Sequence, residues 1–258
     1  MSTWISHLRI AEQVLAALPG LDAAAFSCGN LAPDSGIPNA DWSAFDPPKE
    51  VTHFLRPGED EGRIADLAFH REYLAGVTPA DSARYSFLLG YFFHLLSDNL
   101  WALRVGQPTK REYAALFAER GGAAWGEIKR DWYGIDHQYV RDHPVSLFWR
   151  VFLPAPNPPA YLPFVPEAAT RHQLDDIRRY YSAPTDEERA ELAPLDRAYP
   201  YLNATTMARY VDDTTAALLQ IHAALATQAP PVGPTALALL PTTALAPYPS
   251  PLGDSAGG

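Results

Sequence analysis

His94 and Asp98 stand four residues apart in the most apolar stretch of the chain, Phe87-Leu88-Leu89-Gly90-Tyr91-Phe92-Phe93-His94-Leu95-Leu96-Ser97-Asp98-Asn99. On a helix that spacing puts an imidazole and a carboxylate on one face. Inside a core, each must be hydrogen-bonded, paired or bound to a metal. The pair therefore reads either as a structural His–Asp contact or as two ligands of one metal. His7, Asp34 and His53 also lie in segments that are otherwise apolar or turn-like. Imidazoles together with carboxylates suit zinc, and also iron or manganese. An H-x-x-x-D spacing is common by chance, so the whole set carries the metal reading.

These side chains need elements to position them. Thr3 or Ser2 caps a first helix to about Leu18, ended by Pro19-Gly20. Its apolar stripe is Trp4, Leu8, Ala11, Leu15 and Leu18, with His7 at the edge. Asp22 caps a short second helix to about Leu31, and Gly29, Asn30, Pro33 and Gly36 break the chain around Asp34. Residues 35–60, rich in Pro, Gly and Asp, read as a long loop carrying His53. Helices are expected over 61–75, over 82–105 with Asp81 as cap, over 109–119 and over 124–133. A helical stretch over 137–150 is broken by Pro144, residues 153–166 read as loop, and further helices are expected over 167–181, 185–192 and 203–227. No segment alternates with period two, so the fold class is all-α, a multi-helix single domain over residues 1–228. The Pro, Ala, Thr, Gly and Ser of residues 229–258 predict a disordered tail.

Bulk properties narrow the function. A chain of 258 residues with 47% hydrophobic and 19% charged residues is globular and can bury one large core. A net charge of −10 argues against bulk nucleic acid and against anionic membrane surfaces. It leaves room for a small phosphate-ester substrate, because bound divalent cations reverse the local field. Cys28 is the only cysteine, which excludes an internal disulfide and a cysteine-based zinc knuckle. His7, Arg9, Glu12 and Gln13 interrupt any signal-peptide pattern at the start, and the longest apolar run falls far below the ~20 residues of a membrane span. The expectation is a soluble, cytoplasmic protein without stable membrane insertion. The sequence sets no oligomeric state.

Taken in order, Thr3-Trp4 with His7, Gly29-Asn30 with Pro33-Asp34, Thr52-His53-Phe54, and Phe87-Leu88-Leu89-Gly90 through His94 to Asp98-Asn99 resemble the zinc-dependent phospholipase C family. The chain looks like a bacterial cytoplasmic member, over residues 3–150. Fungal single-strand nucleases with a three-zinc site belong to the same wider group. The resemblance implies a helical fold around two or three zinc ions, or other divalent metals, that hydrolyses phosphate esters with a metal-activated water. It implies that His7 is the early helical ligand and His53 the loop ligand. Asp34 would be a ligand that also acts as base. His94 and Asp98 would be the pair whose carboxylate bridges two metals, and catalysis would rest on Asp34 and Asp98.

Two features depart from the family pattern. Secreted members bind a zinc through the amine and carbonyl of an N-terminal tryptophan, whereas three residues precede Trp4 here. No H-x-x-x-E follows residue 98. Glu127 and Asp131, at i and i+4, helped by Asp136, are the carboxylates expected to hold the second metal instead. The competing reading, a solvated helix face, is the stronger one for Glu127.

His70 reads as a surface residue, and His172 and His222 as structural or exposed; His137 and His143, beside Asp136 and Asp142, are reserve ligands or proton donors in a reading weaker than the structural one, and Asp212-Asp213 reads as solvated. Phe54, Trp42, Phe45 and Tyr133 are candidate pocket walls. A di-iron bundle would need paired Glu-x-x-His motifs, and Glu50…His53 stands unpaired. A His-Asp dipeptide, the mark of another helical phosphohydrolase class, does not occur. The remaining alternative is a helical metal-binding protein of the same fold without catalysis.

Overall fold

A helix that is apolar on every face must be enclosed on every face. In the computed structural model, which describes residues 1–41, 44–56, 64–182 and 199–248, that helix is α5 (Ser82–Trp101), capped by Asp81 and buried from Ser86 to Trp101. Around it lie α1 (Trp4–Ala17) and α2 (Ala23–Gly29), capped by the Thr3 and Asp22 side chains. The buried face of α1 is Ile5, Ser6, His7, Leu8, Ile10, Ala11 and Val14. Its centre is thus rotated from the expected stripe, and His7 faces inward rather than lying at an edge.

Contact between α2 and α5 is close because both helices carry glycine at the crossing. A Cβ on Gly29 would fall 2.0 Å from the Phe87 carbonyl oxygen, and one on Gly90 2.4 Å from that of Phe26. The crossing brings the end of α2 onto the middle of α5.

The segment expected as loop holds a short antiparallel hairpin, β1 (Ile37–Pro38) with β2 (Phe45–Asp46), and then α3 (Lys49–Thr52). Phe54 takes φ +52°, a left-handed conformation that turns the chain immediately after His53. Its ring packs against Phe69 and Phe164 at 5.6 and 5.4 Å, inside the aromatic core. Next come α4 (Asp66–Phe69), widening into a π turn at His70–Leu74, then α6 (Gln107–Glu112), α7 (Ala114–Arg120) and α8 (Ala124–Asp142). The last long helices are α9 (Glu167–Ser182) and α10 (Ala204–Thr227). The protein is mostly helical, as expected. The helix expected over 185–192, the start of the one expected over 61–75, and Trp42 lie outside the described residues.

One helix boundary differs from expectation for a physical reason. α8 runs through Gly134 to Asp142 instead of stopping near 133. A helical glycine costs about 1 kcal/mol, but here it leaves room for the Tyr199 ring, whose Cε1 would lie 2.5 Å from an added Cβ.

The disordered tail expected from residue 229 is corrected over residues 229–248, which form a strap along the domain. Ala236 and Leu237 are buried, as are Leu240 and Tyr248. Asp66 accepts the Ala236 N–H at 2.8 Å. Arg104, at the end of α5, donates to the Ala244 carbonyl at 2.7 Å and to Thr214 at 2.9 Å. Tyr248 donates to Asp213 at 2.9 Å, so Asp213 is not simply solvated. Replacing Arg104 with alanine removes the strap's fastening and is expected to cost about 2–4 kcal/mol. At ~2–4 °C per kcal/mol, calorimetry should register a melting point lower by several degrees. An unchanged melting point would mean that the strap is not anchored there.

Candidate metal centre

His94 projects from α5 with Nδ1 2.8 Å from the Asn30 carbonyl oxygen. A carbonyl only accepts, so Nδ1 carries a proton and Nε2 is the ring nitrogen left to bind a metal. The α2–α5 crossing holds Asn30 there. His53 follows α3, its Nδ1 3.0 Å from Thr52 Oγ1 and its Nε2 3.3 Å from His94 Nε2. Asp34 closes the 3-10 turn Ala32–Asp34. Its Oδ2 accepts the Trp4 indole N–H at 2.8 Å, and its Oδ1 lies 3.5 Å from His53 Nε2. Asp98 Oδ2 lies 3.3 Å from His94 Nε2 and 3.6 Å from His53 Nε2.

Asp34, His53 and His94 converge with the spacing of metal ligands, and Asp98 Oδ2 approaches both imidazoles. Tetrahedral zinc with bonds of ~2.0–2.1 Å has ligand–ligand edges of about 3.3–3.4 Å, against about 2.9 Å for an octahedron with the same bonds. The four separations just given span 3.3–3.6 Å. The two carboxylate oxygens in the set, Asp34 Oδ1 and Asp98 Oδ2, are buried and have no hydrogen-bond partner. A buried carboxylate oxygen left so is costly, and a cation would satisfy both.

A second position adjoins the first. Asp98 Oδ1 lies 3.4 Å from His7 Nε2 and accepts the Ser2 backbone N–H at 2.7 Å. Ser2 Oγ sits 2.8 Å from the same His7 nitrogen. His7, His94 and Asp98 form one group with metal-ligand spacing, and Asp34, His53 and His94 another. With Nδ1 engaged, His94 has a single ligand nitrogen and can serve only one cation. Asp98 has an oxygen facing each position, the arrangement a bridging carboxylate needs.

The charges suit this role. Burial alone would raise the Asp34 carboxyl, but Lys49, at 3.6 Å, and the approach of His53 hold it well below the usual carboxylate range. Asp98 is likewise held low against burial, chiefly by His94. Burial, and then the His94 ring stacked at 3.9 Å, push His7 down to about 4. Burial would lower His94 too, but Asp98, Asp34 and the Asn30 carbonyl together outweigh it and hold this imidazole above its ordinary value.

Sequence reasoning named all five cluster residues and missed three that organise them. Ser2, Asn30 and Lys49 act through backbone or distant contacts that leave no local pattern. The amide reaching Asp98 belongs to Ser2, whereas Trp4 uses its indole to hold Asp34.

The expected second-metal carboxylates do not join the cluster. Glu127 pairs with Arg120 and with the Tyr201 hydroxyl. Asp131 accepts the Tyr201 backbone N–H at 2.8 Å. Asp136 accepts from Thr3 at 2.8 Å and from Tyr181 at 2.7 Å. Each has protein donors of its own, and among the described residues none belongs to a group of metal-ligand spacing. His137 is buried against Tyr180 and Tyr181, and His172 is half-buried beside Asp176. His70, expected at the surface, is half-buried against Phe92.

Burial pushes Asp136 up to about 7 despite the bonds from Tyr181 and Thr3. The native state then binds more protons than the unfolded chain between the usual carboxylate value and about 7, so stability falls as pH rises through that window. The stability difference between wild type and Asp136→Asn should decline over it, with a slope approaching about 1.4 kcal/mol per pH unit. Chemical denaturation at several pH values reads this directly. A flat difference would mean that Asp136 stays ionised throughout.

Thr3, Asp34, Lys49, Lys129 and Tyr133 line a small polar recess of about 60 Å³ beside the cluster. Among the described residues no helix is long and apolar enough to cross a membrane. No family model, curated protein or solved structure matches this chain.

Proposed function

We propose that this chain is a divalent-metal-dependent phosphoric ester hydrolase, with zinc as the fitting metal and a site similar to that of the zinc-dependent phospholipase C family. The observation that carries the reading is the buried cluster of His53, His94, Asp34 and Asp98, in which two carboxylate oxygens lack a hydrogen-bond partner. A cation held there would supply Lewis acidity and bring the pKa of a water toward neutrality.

The chain's own residues do the rest. Asp34 belongs both to the set and to the recess wall, and with its carboxyl held ionised it is placed to accept a hydrogen bond from the water and orient it. Lys49 and Lys129 line the same recess and offset negative charge growing on the phosphoryl oxygens. The water oxygen joins phosphorus, the phosphorus–oxygen bond to the alcohol breaks, and the alcohol leaves with a proton. Asp98, touching both positions, keeps the imidazoles in register.

The test is hydrolysis of chromogenic phosphodiesters and phosphomonoesters by zinc-loaded protein, beside His53→Ala and a chelator control. Turnover lost in both controls supports the reading. Full metal occupancy with no turnover on any ester overturns it in favour of a non-catalytic metal-binding protein. One observation favours that second reading: the carboxylates of α8 supply no further metal ligands.

A further inference from the structure

A second cavity, of about 330 Å³, adjoins the polar recess. Trp101, Trp125, Trp132, Leu55, Ile64 and Ala102 form its apolar walls, and Asp98 of the metal cluster lines it too. Lys49 and Lys129 line both cavities, so the apolar space and the recess share a rim. The tryptophan walls are locked together. Trp101 meets Trp132 edge to face at 4.9 Å, and Trp132 meets Trp125 at 5.7 Å. Trp125 rests in turn on Phe117 at 4.9 Å. Such a wall is pre-formed and loses little entropy on binding.

We infer that this cavity receives the alcohol part of the substrate, and that the substrate is a phosphate ester of a compact, flat, apolar alcohol. The inference rests on the phosphoric ester reading above. Flat rings gain most from edge and face contact with indoles. The volume is at the small end of the ~300–1,000 Å³ typical of ligand pockets and suits one or two fused rings, not a pair of long acyl chains. Lys49 and Lys129 at the rim attract the phosphoryl group, and set against Glu50 and Asp98 they leave the lining without the net negative charge that would draw in a cationic alcohol such as choline.

Three methyl phosphodiesters, with ethyl, benzyl and naphthylmethyl as the second alcohol, separate size from reactivity because their leaving alcohols are similar in acidity. With zinc-loaded protein, kcat/KM should rise at least tenfold from ethyl to naphthylmethyl. That ratio should collapse in Trp125→Ala, at a half-buried site that tolerates truncation, and in Ala102→Leu, which fills the cavity instead. Calorimetric titration with ethylphosphonate and benzylphosphonate reads the same preference without turnover.

Equal cleavage of all three esters with equal phosphonate affinities would overturn the pocket assignment and leave the hydrolase reading intact. No cleavage, with benzylphosphonate bound tenfold more tightly, would keep the pocket and remove the hydrolase. A choline phosphodiester cleaved faster than the benzyl ester, or an unchanged ratio in both variants, would also overturn the assignment.

Discussion

Asp98→Asn is expected to strip the protein of metal while leaving its helices in place. Asp98 places an oxygen at each position: Oδ2 beside His94 and His53, and Oδ1 beside His7 and the Ser2 amide. Asparagine keeps the shape but loses the charge. Its amide nitrogen must also replace one of those oxygens, setting a donor against either the Ser2 N–H or the imidazole nitrogens meant for a cation. Losing a supporting partner outside the coordination sphere typically costs 10–100-fold in metal affinity, so losing a shared ligand should cost more than about a hundredfold. Elemental mass spectrometry after dialysis against a competing chelator, with circular dichroism as the control for folding, checks this. His94→Ala should fail in the same way. Equal metal content in wild type and both variants would sink the metal assignment and leave a buried His–Asp pair.

Gly90→Ala carries the second large effect, opposite in sign to the usual one. Inside an ordinary helix, alanine in place of glycine is worth about 1 kcal/mol of stabilisation. Here the new methyl would sit 2.4 Å from the Phe26 carbonyl oxygen and 2.9 Å from the Asn30 nitrogen. Both are backbone atoms, so relief requires α2 to move off α5. A loss of about 2–4 kcal/mol is expected from overpacking on this scale, measurable by denaturant unfolding of metal-free protein. The same displacement would draw the Asn30 carbonyl away from His94, so zinc affinity should fall together with stability. A stabilised variant with full affinity would show that the crossing is not tight.

The cluster was legible in the sequence because its members break local patterns. His94 and Asp98 interrupt an apolar helix, while His7, Asp34 and His53 sit where the surroundings are apolar or turning. Helix starts were legible where a side chain caps them, as Thr3, Asp22 and Asp81 do. Glu127 and Asp131 show the limit of that reasoning. Their i, i+4 spacing is realised on a real helix, yet Tyr201 reaches both from 70 and 74 residues away. The strap was invisible for the same reason. Its composition is that of a loose tail, and what holds it is a buried Asp66 and a buried Arg104, whose partners lie far along the chain.

That strap bears on the order of assembly. The bond from Ala236 to Asp66 closes a sequence separation of 170 residues, and the one from Arg104 to Ala244 closes 140. Contacts so distant form late, after nearer contacts have already shortened the loop to be closed. During synthesis all five cluster residues emerge well before the segment that covers Asp66 and Arg104. A ribosome-bound chain can therefore gather its histidines early, yet it keeps two charged groups uncovered until residues 236–244 have been made.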